Sequence, residues 1–296
     1  MSYLLEIKNL KKAYSGNVVL DDISFVINSG EIVGLIGRNG TGKTTLMKAI
    51  LGLIKIDEGQ ILFNGTESYF NNKDLMNSIG YLLDCKLFEY LNAHDNLQIQ
   101  EMYNNTTLKQ QELKQKIDEI LKFVELKNDR KKVREYSFGM KQRLGLALAL
   151  MGDTKLLILD EPFVGLDPIG VEKFREFIHR ISKEKGVAIL ISSHQLSEIE
   201  NMCERYLFIS EQKLENYINS KDKEITLTIS QITPNFIGKL KELNREAVIH
   251  KNRISFGHRK DYLNRILFLV YQEKLEIKDI EISNLSKINK LFDRKV

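Results

Sequence analysis

The chain has 296 residues, of which 43% are hydrophobic and 28% charged, and its formal net charge is +4. This balance is typical of a globular protein and argues against intrinsic disorder. Nucleic-acid binders usually carry a concentrated basic stripe, whereas the basic tract at residues 127–132 is short and typical of a solvated helix end. No nucleic-acid partner is therefore predicted. The two cysteines, Cys85 and Cys203, do not have the spacing of a zinc site.

The sequence predicts neither a signal peptide nor a transmembrane segment. Its longest charge-free apolar stretch, at about residues 144–152, is far shorter than the roughly 20 residues that span a bilayer. We therefore expect a cytoplasmic protein that reaches a membrane only through a partner.

The chain begins with predicted strands. Residues 3–8 and 18–27 are rich in β-forming side chains, and a polar turn separates them. Residues 31–36 form a nearly continuous apolar run, which is typical of a strand buried on both faces of a parallel sheet. A glycine-rich loop follows, and then a predicted helix over residues 43–53 and a predicted strand over residues 60–63.

The pattern becomes helical from about residue 85 to residue 151. Within this segment, the apolar residues of 113–124 recur at three- and four-residue spacing, as on one face of a helix. Strand-like runs return at residues 155–160 and 187–192, with a helical pattern between them at 169–184. Strands that alternate with helices predict a parallel α/β sheet, into which the helical segment is inserted as a lobe.

The character of the chain changes after about residue 212. Residues 213–223 are charged and polar, and they predict a linker between a domain of residues 1–212 and a C-terminal domain of residues 224–296. The C-terminal domain has the predicted order strand, helix, strand, strand, helix, strand. This order predicts a small α+β accessory domain with a ferredoxin-like arrangement.

The most specific motif is GRNGTGKT at residues 37–44, which matches G-x-x-x-x-G-K-[ST] in full. It follows a predicted buried strand and precedes a predicted helix. Glycines let a backbone wrap around phosphates, and the positive end of a helix attracts the same anion. Lys43 is expected to reach the β- and γ-phosphates, and the Thr44 hydroxyl to bind Mg²⁺. The alternative is an ordinary glycine turn that enters a helix, which the full match disfavours.

Further polar groups follow two predicted strands. Asp160 and Glu161 come directly after the apolar run LLIL, at the strand end where open α/β sheets bind ligands. Asp160 is placed to hold Mg²⁺, and Glu161 to orient or deprotonate the attacking water. His194 follows the strand VAILIS, from which a histidine can contact a γ-phosphate. Strand-capping acids and lone histidines are common, so these residues gain their meaning from the upstream motif.

In this order, the motifs of residues 1 to about 212 resemble the ATP-binding cassette (ABC) family. The resemblance implies a P-loop NTPase fold with an antiparallel β lobe and an inserted helical lobe, and the hydrolysis of ATP with Mg²⁺. Tyr14 lies where the family stacks an aromatic ring on adenine, and His194 resembles the switch histidine. The nucleotide-binding residues that the resemblance implies are Tyr14, Gly37, Asn39, Gly40, Thr41, Gly42, Lys43, Thr44, Thr45, Ser137 and Gly139.

The segment YSFGMKQR at residues 136–143 resembles the ABC signature, although it also has the pattern of a serine N-cap. In the family, this segment completes the ATP site of a second subunit. The resemblance therefore implies a homodimer in which Ser137 and Gly139 reach the γ-phosphate across the interface. Residues 165–168 resemble the D-loop that lines the same interface. Phe138 departs from the family pattern, because it replaces a glycine of the usual LSGGQ.

Asp84 is a second departure, since it stands at the Q-loop position, where glutamine is usual. A carboxylate only accepts hydrogen bonds, whereas an amide also donates them. The alternative is a surface acid in a misaligned loop. An acid at this position, followed by LFEYLNAHDNL, resembles the ATPases of lantibiotic immunity exporters.

The resemblance to the ABC family implies that Glu161, His194 and Asp84 are catalytic. It also implies that Thr44, Asp160 and Asp84 bind the metal.

The predicted function is that of an ATPase subunit that drives a separate integral-membrane permease and exports an antimicrobial peptide. Such a subunit would lie on the inner face of the cell membrane, held by the permease. Three alternatives remain open: an exporter of another drug, lipid or small molecule, an ABC ATPase that acts on ribosomes or DNA, and a catalytically weak regulatory subunit.

Overall fold

A computed structural model describes residues 3–83, 86–104, 108–199, 202–218, 224–244, 247–257 and 260–283. The chain divides into two compact units, Met1–Ile218 and Asn219–Val296. Within the described ranges, we find no helix with the length and apolar character needed to cross a bilayer.

The first unit contains nine strands and seven α-helices in its described residues. The strands are β1 (Leu5–Tyr14), β2 (Asn17–Ile27), β3 (Ile32–Ile36), β4 (Glu58–Phe63), β5 (Ile79–Leu82), β6 (Leu156–Leu159), β7 (Ala188–Ser193), β8 (Arg205–Ser210) and β9 (Lys213–Ile218). The helices are α1 (Lys43–Ile50), α2 (Lys73–Asn77), α3 (Ala93–Asn104), α4 (Gln110–Phe123), α5 (Phe138–Ala149), α6 (Pro168–Lys185) and α7 (Leu196–Ile199). Short 3-10 turns lie at Tyr69–Asn71 and Val133–Glu135.

A six-stranded sheet with the order β5-β6-β7-β3-β8-β9 forms the centre of the first unit. Its first five strands are parallel to one another, and β9 is antiparallel to β8. The strands β3, β6 and β7 are buried along their whole length, as their apolar runs predict. Because these strands are parallel, the residues that follow them lie at the same edge of the sheet. The structure thus confirms the predicted parallel α/β core.

A second sheet with the order β2-β1-β4 is antiparallel and packs beside the first. One buried cluster joins this sheet, the helix α1 and the parallel sheet. It includes Leu5 and Phe25 of the antiparallel sheet, Leu46 of α1, and Leu35 and Leu190 of the parallel sheet. This packing fixes the position of α1, whose first residue is Lys43. The antiparallel β lobe is therefore confirmed.

The helices α3, α4 and α5 make up the inserted lobe. The helix α4 buries Ile117, Ile120 and Leu121, which belong to the predicted apolar stripe. Between α3 and α4, the ammonium of Lys116 donates to both oxygens of Glu101, at 2.8 and 2.9 Å. Glu101 is almost fully buried, so this pairing satisfies a carboxylate that would otherwise be costly to bury. The predicted helical lobe is confirmed by these elements.

The predicted linker is wrong over its first half. Residues 213–218 of the proposed linker 213–223 form β9, which pairs with β8 from Ser210↔Lys213 to Arg205↔Ile218. The turn between the two strands has positive φ at Glu211 and Gln212, which is typical of a tight hairpin. Charged residues are common on edge strands, where they oppose pairing with other chains, and this explains why the segment resembles a linker in composition.

The second unit contains β10 (Glu224–Ile229), α8 (Pro234–Leu243), β11 (Val248–His250), β12 (Arg253–Gly257), α9 (Lys260–Gln272) and β13 (Ile277–Ser283). Its four described strands form an antiparallel sheet with the order β11-β12-β10-β13. Its own buried cluster includes Leu227, Phe236, Ile254, Ile266 and Leu269. The element order is the predicted one and supports the ferredoxin-like arrangement. This unit therefore has a core of its own.

Candidate nucleotide site

The glycine-rich loop lies between the end of β3 and the start of α1, as the motif predicts. Gly42, the N-cap of α1, has a φ of 102°. A Cβ at Gly42 would lie 2.8 Å from Cδ2 of Leu20 and 3.1 Å from the carbonyl oxygen of Val19. The position therefore requires glycine for two reasons, its left-handed backbone and the close approach of β2. Glycine-rich loops that precede a helix can present backbone N–H groups to an anion.

A cavity of about 730 Å³ lies in front of this loop. Nine residues that the sequence assigned to the site line it, namely Tyr14, Asn39, Gly40, Gly42, Lys43, Thr44, Thr45, Asp160 and Glu161. Three lining residues were missed, namely Val19, Leu83 and Val164. Leu83 belongs to the segment that resembles the Q-loop, whereas no motif contains Val19 or Val164, which are apolar residues that reach the cavity only through folding.

Lys43 is the most buried charged group of the cavity, with 5% of its side chain exposed. Its Nζ donates to the carbonyl oxygens of Gly37 and Arg38, at 2.8 and 3.2 Å, and lies 3.3 Å from Oε1 of Glu161. The other carboxylate oxygen of Glu161 lies 3.1 Å from Nδ1 of His194. The ammonium, the carboxylate and the imidazole thus form one contiguous row, although His194 does not itself line the cavity among the described residues.

Asp160 lies beside this row, and two hydroxyl groups hold its carboxylate. The Thr44 hydroxyl donates to Oδ2 at 2.6 Å, and the Ser192 hydroxyl donates to Oδ1 at 2.5 Å. Hydroxyl and carboxylate oxygens are the ligands that Mg²⁺ prefers, and Mg²⁺ sites usually combine one or two such groups with phosphate oxygens. The oxygens of Thr44 and Asp160 therefore fit the predicted metal. Ser192 was not predicted as a site residue.

Tyr14 is 45% exposed and lines the cavity at the end of β1. The ammonium of Lys12 lies 5.1 Å from the centre of the Tyr14 ring, a cation–π distance. Lys12 also pairs with Asp57 at 3.1 Å, and Asp57 accepts the Ala13 amide N–H at 2.6 Å. The hydrogen bond from Ala13, followed by that from Lys12, lowers the pKa of Asp57. These contacts hold the strand end from which Tyr14 projects.

The remaining predicted residues lie outside the cavity lining. Gly37 is buried at the start of the loop, and the Thr41 hydroxyl donates to the carbonyl oxygen of Arg38 at 2.9 Å. Ser137 is the exposed N-cap of α5 and accepts the Met140 N–H at 3.3 Å. Asp84 lies outside the described residues.

The predicted signature and D-loop contact one another. Gly139 lines a separate cavity of about 210 Å³ together with Leu166 and Asp167. The ring of Phe138 packs against Gly165, where an added Cβ would meet ring atoms at 3.1–3.3 Å. The aromatic residue that departs from the family pattern thus packs on the neighbouring loop and is about half exposed.

A phosphate-binding loop, a buried lysine, and two carboxylates at the end of the neighbouring strand define a P-loop nucleoside triphosphatase. Residues 20–164 match the family model described as "ABC transporter".

Relatives of known sequence agree with this class. YcbN of Bacillus subtilis, an ABC transporter ATP-binding protein, is 34% identical over 97% of this chain and 94% of its own length. The bacitracin transport ATP-binding protein BcrA of Bacillus licheniformis is 41% identical over 72% of this chain and 69% of its own. The lantibiotic transport ATP-binding protein SrtF of Streptococcus pyogenes is 41% identical over 71% of this chain and 89% of its own.

Solved structures share the fold. The cbiO1 protein of Clostridium perfringens, part of the ABC transporter complex cbiONQ, superposes with a TM-score of 0.68 at 28% identity, over 83% of this chain and 96% of its own. A dimeric ATP-binding cassette bound to ADP and Pi superposes with a TM-score of 0.65 at 23% identity, over 73% of this chain and 98% of its own. The chain belongs to the family of ABC transporter ATP-binding proteins, and it is an ABC-type ATPase.

Two glycine substitutions test how tightly the loop is packed. Gly40→Ala introduces a Cβ at a φ of 83° but into open space, so it should cost roughly 1–3 kcal/mol of unfolding free energy from backbone strain alone. Gly42→Ala adds the contacts with Val19 and Leu20 to the same strain, so its cost should be larger. Urea unfolding without nucleotide measures both. Equal losses in the two variants would contradict the close approach of β2.

Proposed function

We propose that this chain is the ATP-hydrolysing subunit of a peptide exporter and that its motor is a dimer with two shared nucleotide sites. Lys43 binds the β- and γ-phosphates, and the ring of Tyr14 stacks on the adenine. Thr44 and Asp160 would hold Mg²⁺, which when bound neutralises charge on the phosphates. The support is the cavity of about 730 Å³, which these four residues line together.

Hydrolysis needs a group that orients the attacking water, and we assign this to Glu161. Its carboxylate is held between Lys43 and His194, at 3.3 and 3.1 Å, so it lies beside the lysine that we assign to the γ-phosphate. A carboxylate in this position can accept a proton from water. We assign to His194 the sensing of the γ-phosphate, since it reaches the site through Glu161.

A second copy of the chain completes each site in this proposal. Ser137 and Gly139 do not line the nucleotide cavity among the described residues, and Ser137 is exposed. They lie at the start of α5, and the first N–H groups and the dipole of a helix favour an anion. We infer that each copy offers this helix end to the γ-phosphate of the other, so that ATP joins the dimer and hydrolysis releases it. The dimeric ATP-binding cassette of the same fold supports this arrangement.

Glu161→Gln should keep ATP bound but slow its hydrolysis by about 10²–10⁴-fold, because an amide cannot accept the proton of the attacking water. The variant should also form a stable dimer with ATP, since the bridging γ-phosphate is not removed. Turnover assays and size-exclusion chromatography with Mg²⁺-ATP measure these effects. Hydrolysis at the parent rate would show that Glu161 does not have the assigned role.

Shared sites can be tested by mixing two inactive variants. Lys43→Ala destroys the loop half of both sites in its own dimer, and Ser137→Ala destroys the signature half. A mixed dimer contains one site built from two intact halves, so mixing should restore ATPase activity that neither variant has alone. If activity stays absent in the mixture while both variants remain folded, sites shared between copies are contradicted.

A groove of about 660 Å³ is our candidate for the contact with the permease. Residues of β5, α3 and α5 line it, and the exposed side chains of Leu53 and Tyr81 lie along it. Grooves of this kind accept the apolar face of a short helix. Leu83 lines both this groove and the nucleotide cavity. A movement of Leu83 when the nucleotide changes would therefore alter the groove.

The cargo we propose is an antimicrobial peptide such as bacitracin or a lantibiotic. The support is the similarity to BcrA and SrtF, which are named as transport ATP-binding proteins for these peptides. Asp84 at the Q-loop position agrees with this assignment.

Resistance of bacterial cells to these peptides tests the cargo and the groove together. A sensitive host that carries this chain with its permease should survive more bacitracin or lantibiotic than the empty host. Tyr81→Glu, which places a charge in the groove, should abolish this resistance while the ATPase activity of the purified chain persists. Phe268→Glu, at an aromatic residue of α9 that is 60% exposed, is the matched control and should keep resistance.

The outcomes of that experiment are distinct. A parent chain that confers no resistance would contradict the peptide cargo. Resistance that survives Tyr81→Glu would contradict the groove as the permease contact but leave the cargo unaffected.

A further inference from the structure

Ser192 is a buried serine inside the parallel sheet, and no motif of the sequence marks it. It lies on β7, between β6 and β3, where Leu35 is its partner in β3. Its exposed fraction is 0%, and β7 is buried along its whole length. A hydroxyl in such surroundings is costly unless it forms hydrogen bonds, so its partners indicate why a serine is present.

Both partners of the Ser192 hydroxyl belong to the loop that follows β6. The hydroxyl donates to Oδ1 of Asp160 at 2.5 Å and accepts the backbone N–H of Glu161 at 2.8 Å. One small group thus contacts both residues of the carboxylate pair. The next serine, Ser193, is equally buried, but its hydroxyl bonds to the carbonyl of Gln195 and to Glu198. Burial at the end of β7 does not by itself produce contact with the carboxylates.

The backbone of Glu161 needs this kind of support. Its φ is 44°, in the left-handed region that residues other than glycine adopt at a cost. Such conformations persist where several contacts from the surrounding structure hold the backbone in place. The Ser192 hydroxyl holds the amide of Glu161, while Lys43 and His194 hold its carboxylate.

Asp160 is held in a similar way. The Ser192 hydroxyl occupies Oδ1, which leaves Oδ2 facing the Thr44 hydroxyl at 2.6 Å. Rotation of the carboxylate would break both bonds at once. The groups that hold a metal-binding carboxylate in place typically affect metal affinity or activity by about 10–100-fold.

We propose that Ser192 is a positioning residue, whose single hydroxyl orients the Asp160 carboxylate for Mg²⁺ and the Glu161 backbone for hydrolysis. Ser192 does not line the nucleotide cavity among the described residues, and it acts through these two neighbours. This inference rests on the roles proposed above for Asp160 and Glu161. A merely structural hydroxyl would affect stability alone, whereas a positioning hydroxyl affects the Mg²⁺ requirement and the turnover number.

The test compares Ser192→Ala with Ser182→Ala. Ser182 lies on α6 and is also buried. Its hydroxyl donates to the carbonyl oxygen of Gly30 at 2.8 Å. The control therefore removes a buried hydroxyl that does not contact Asp160 or Glu161. Calorimetry measures the affinity for ADP in EDTA and in excess Mg²⁺, and steady-state assays measure kcat, KM and the Mg²⁺ concentration for half-maximal rate.

For Ser192→Ala we expect an unchanged affinity for ADP in EDTA and a gain from Mg²⁺ that is smaller by about 10–100-fold. The kcat should fall more than KM rises. Ser192→Thr keeps a hydroxyl on the same carbon and should restore the parent Mg²⁺ requirement. Ser182→Ala should show the parent values for every one of these quantities.

If Ser192→Ala does not fold, Ser192→Cys takes its place, because a thiol fills the site but is a weak donor and acceptor. It should show the same loss of the Mg²⁺ effect. A folded Ala or Cys variant with the parent Mg²⁺ requirement and kcat overturns the positioning role. A parent protein whose ADP affinity does not respond to Mg²⁺ would instead contradict the proposed metal ligands, so the two failures are distinguishable.

Discussion

The site depends on one constraint, the parallel arrangement of β3, β6 and β7, which end at the same edge of the sheet. The register pairs Leu159 with Ile191 and Ile36 with Ser193, so the loops that follow these strands meet. One loop wraps around an anion site, another carries two carboxylates, and the third carries the histidine. Side chains that follow one strand form hydrogen bonds and ion pairs with side chains that follow the neighbouring strand. The lysine, the two carboxylates and the histidine are therefore held in place by the protein itself, as preorganised catalysis requires.

In our proposal, one chain by itself does not complete a nucleotide site. The start of α5 bears the predicted signature, yet its serine is exposed and lies outside the nucleotide cavity. The exposed start of a helix suits an anion brought by another copy. In our proposal the γ-phosphate is that anion, so its presence or absence decides between two states of the dimer. The packing of Phe138 on Gly165 joins the two segments that would form this interface.

A route from nucleotide to permease needs one element that touches both. Leu83 lines both the nucleotide cavity and the groove beside α3 and α5, so it meets this condition if the groove binds the permease as we propose. The second unit has its own core, and the similarity to YcbN over 97% of the chain shows that a relative shares nearly the whole length. Every described residue that lines the nucleotide cavity belongs to the first unit, Met1–Ile218.

The sequence by itself determined the class of the protein. Its evidence is local: the full P-loop motif, the apolar runs of β3, β6 and β7, and the acids that follow β6. Each of these patterns lies within a short segment, so it can be recognised without knowledge of the tertiary structure. The helical lobe and the element order of the second unit were also readable in this way. Only the tertiary structure decided that residues 213–218 form an edge strand, because pairing with β8 outweighs their polar composition. Likewise, Ser192 lies 32 residues from Asp160 in sequence, and only the packing of β6 beside β7 makes its hydroxyl a partner of the carboxylate.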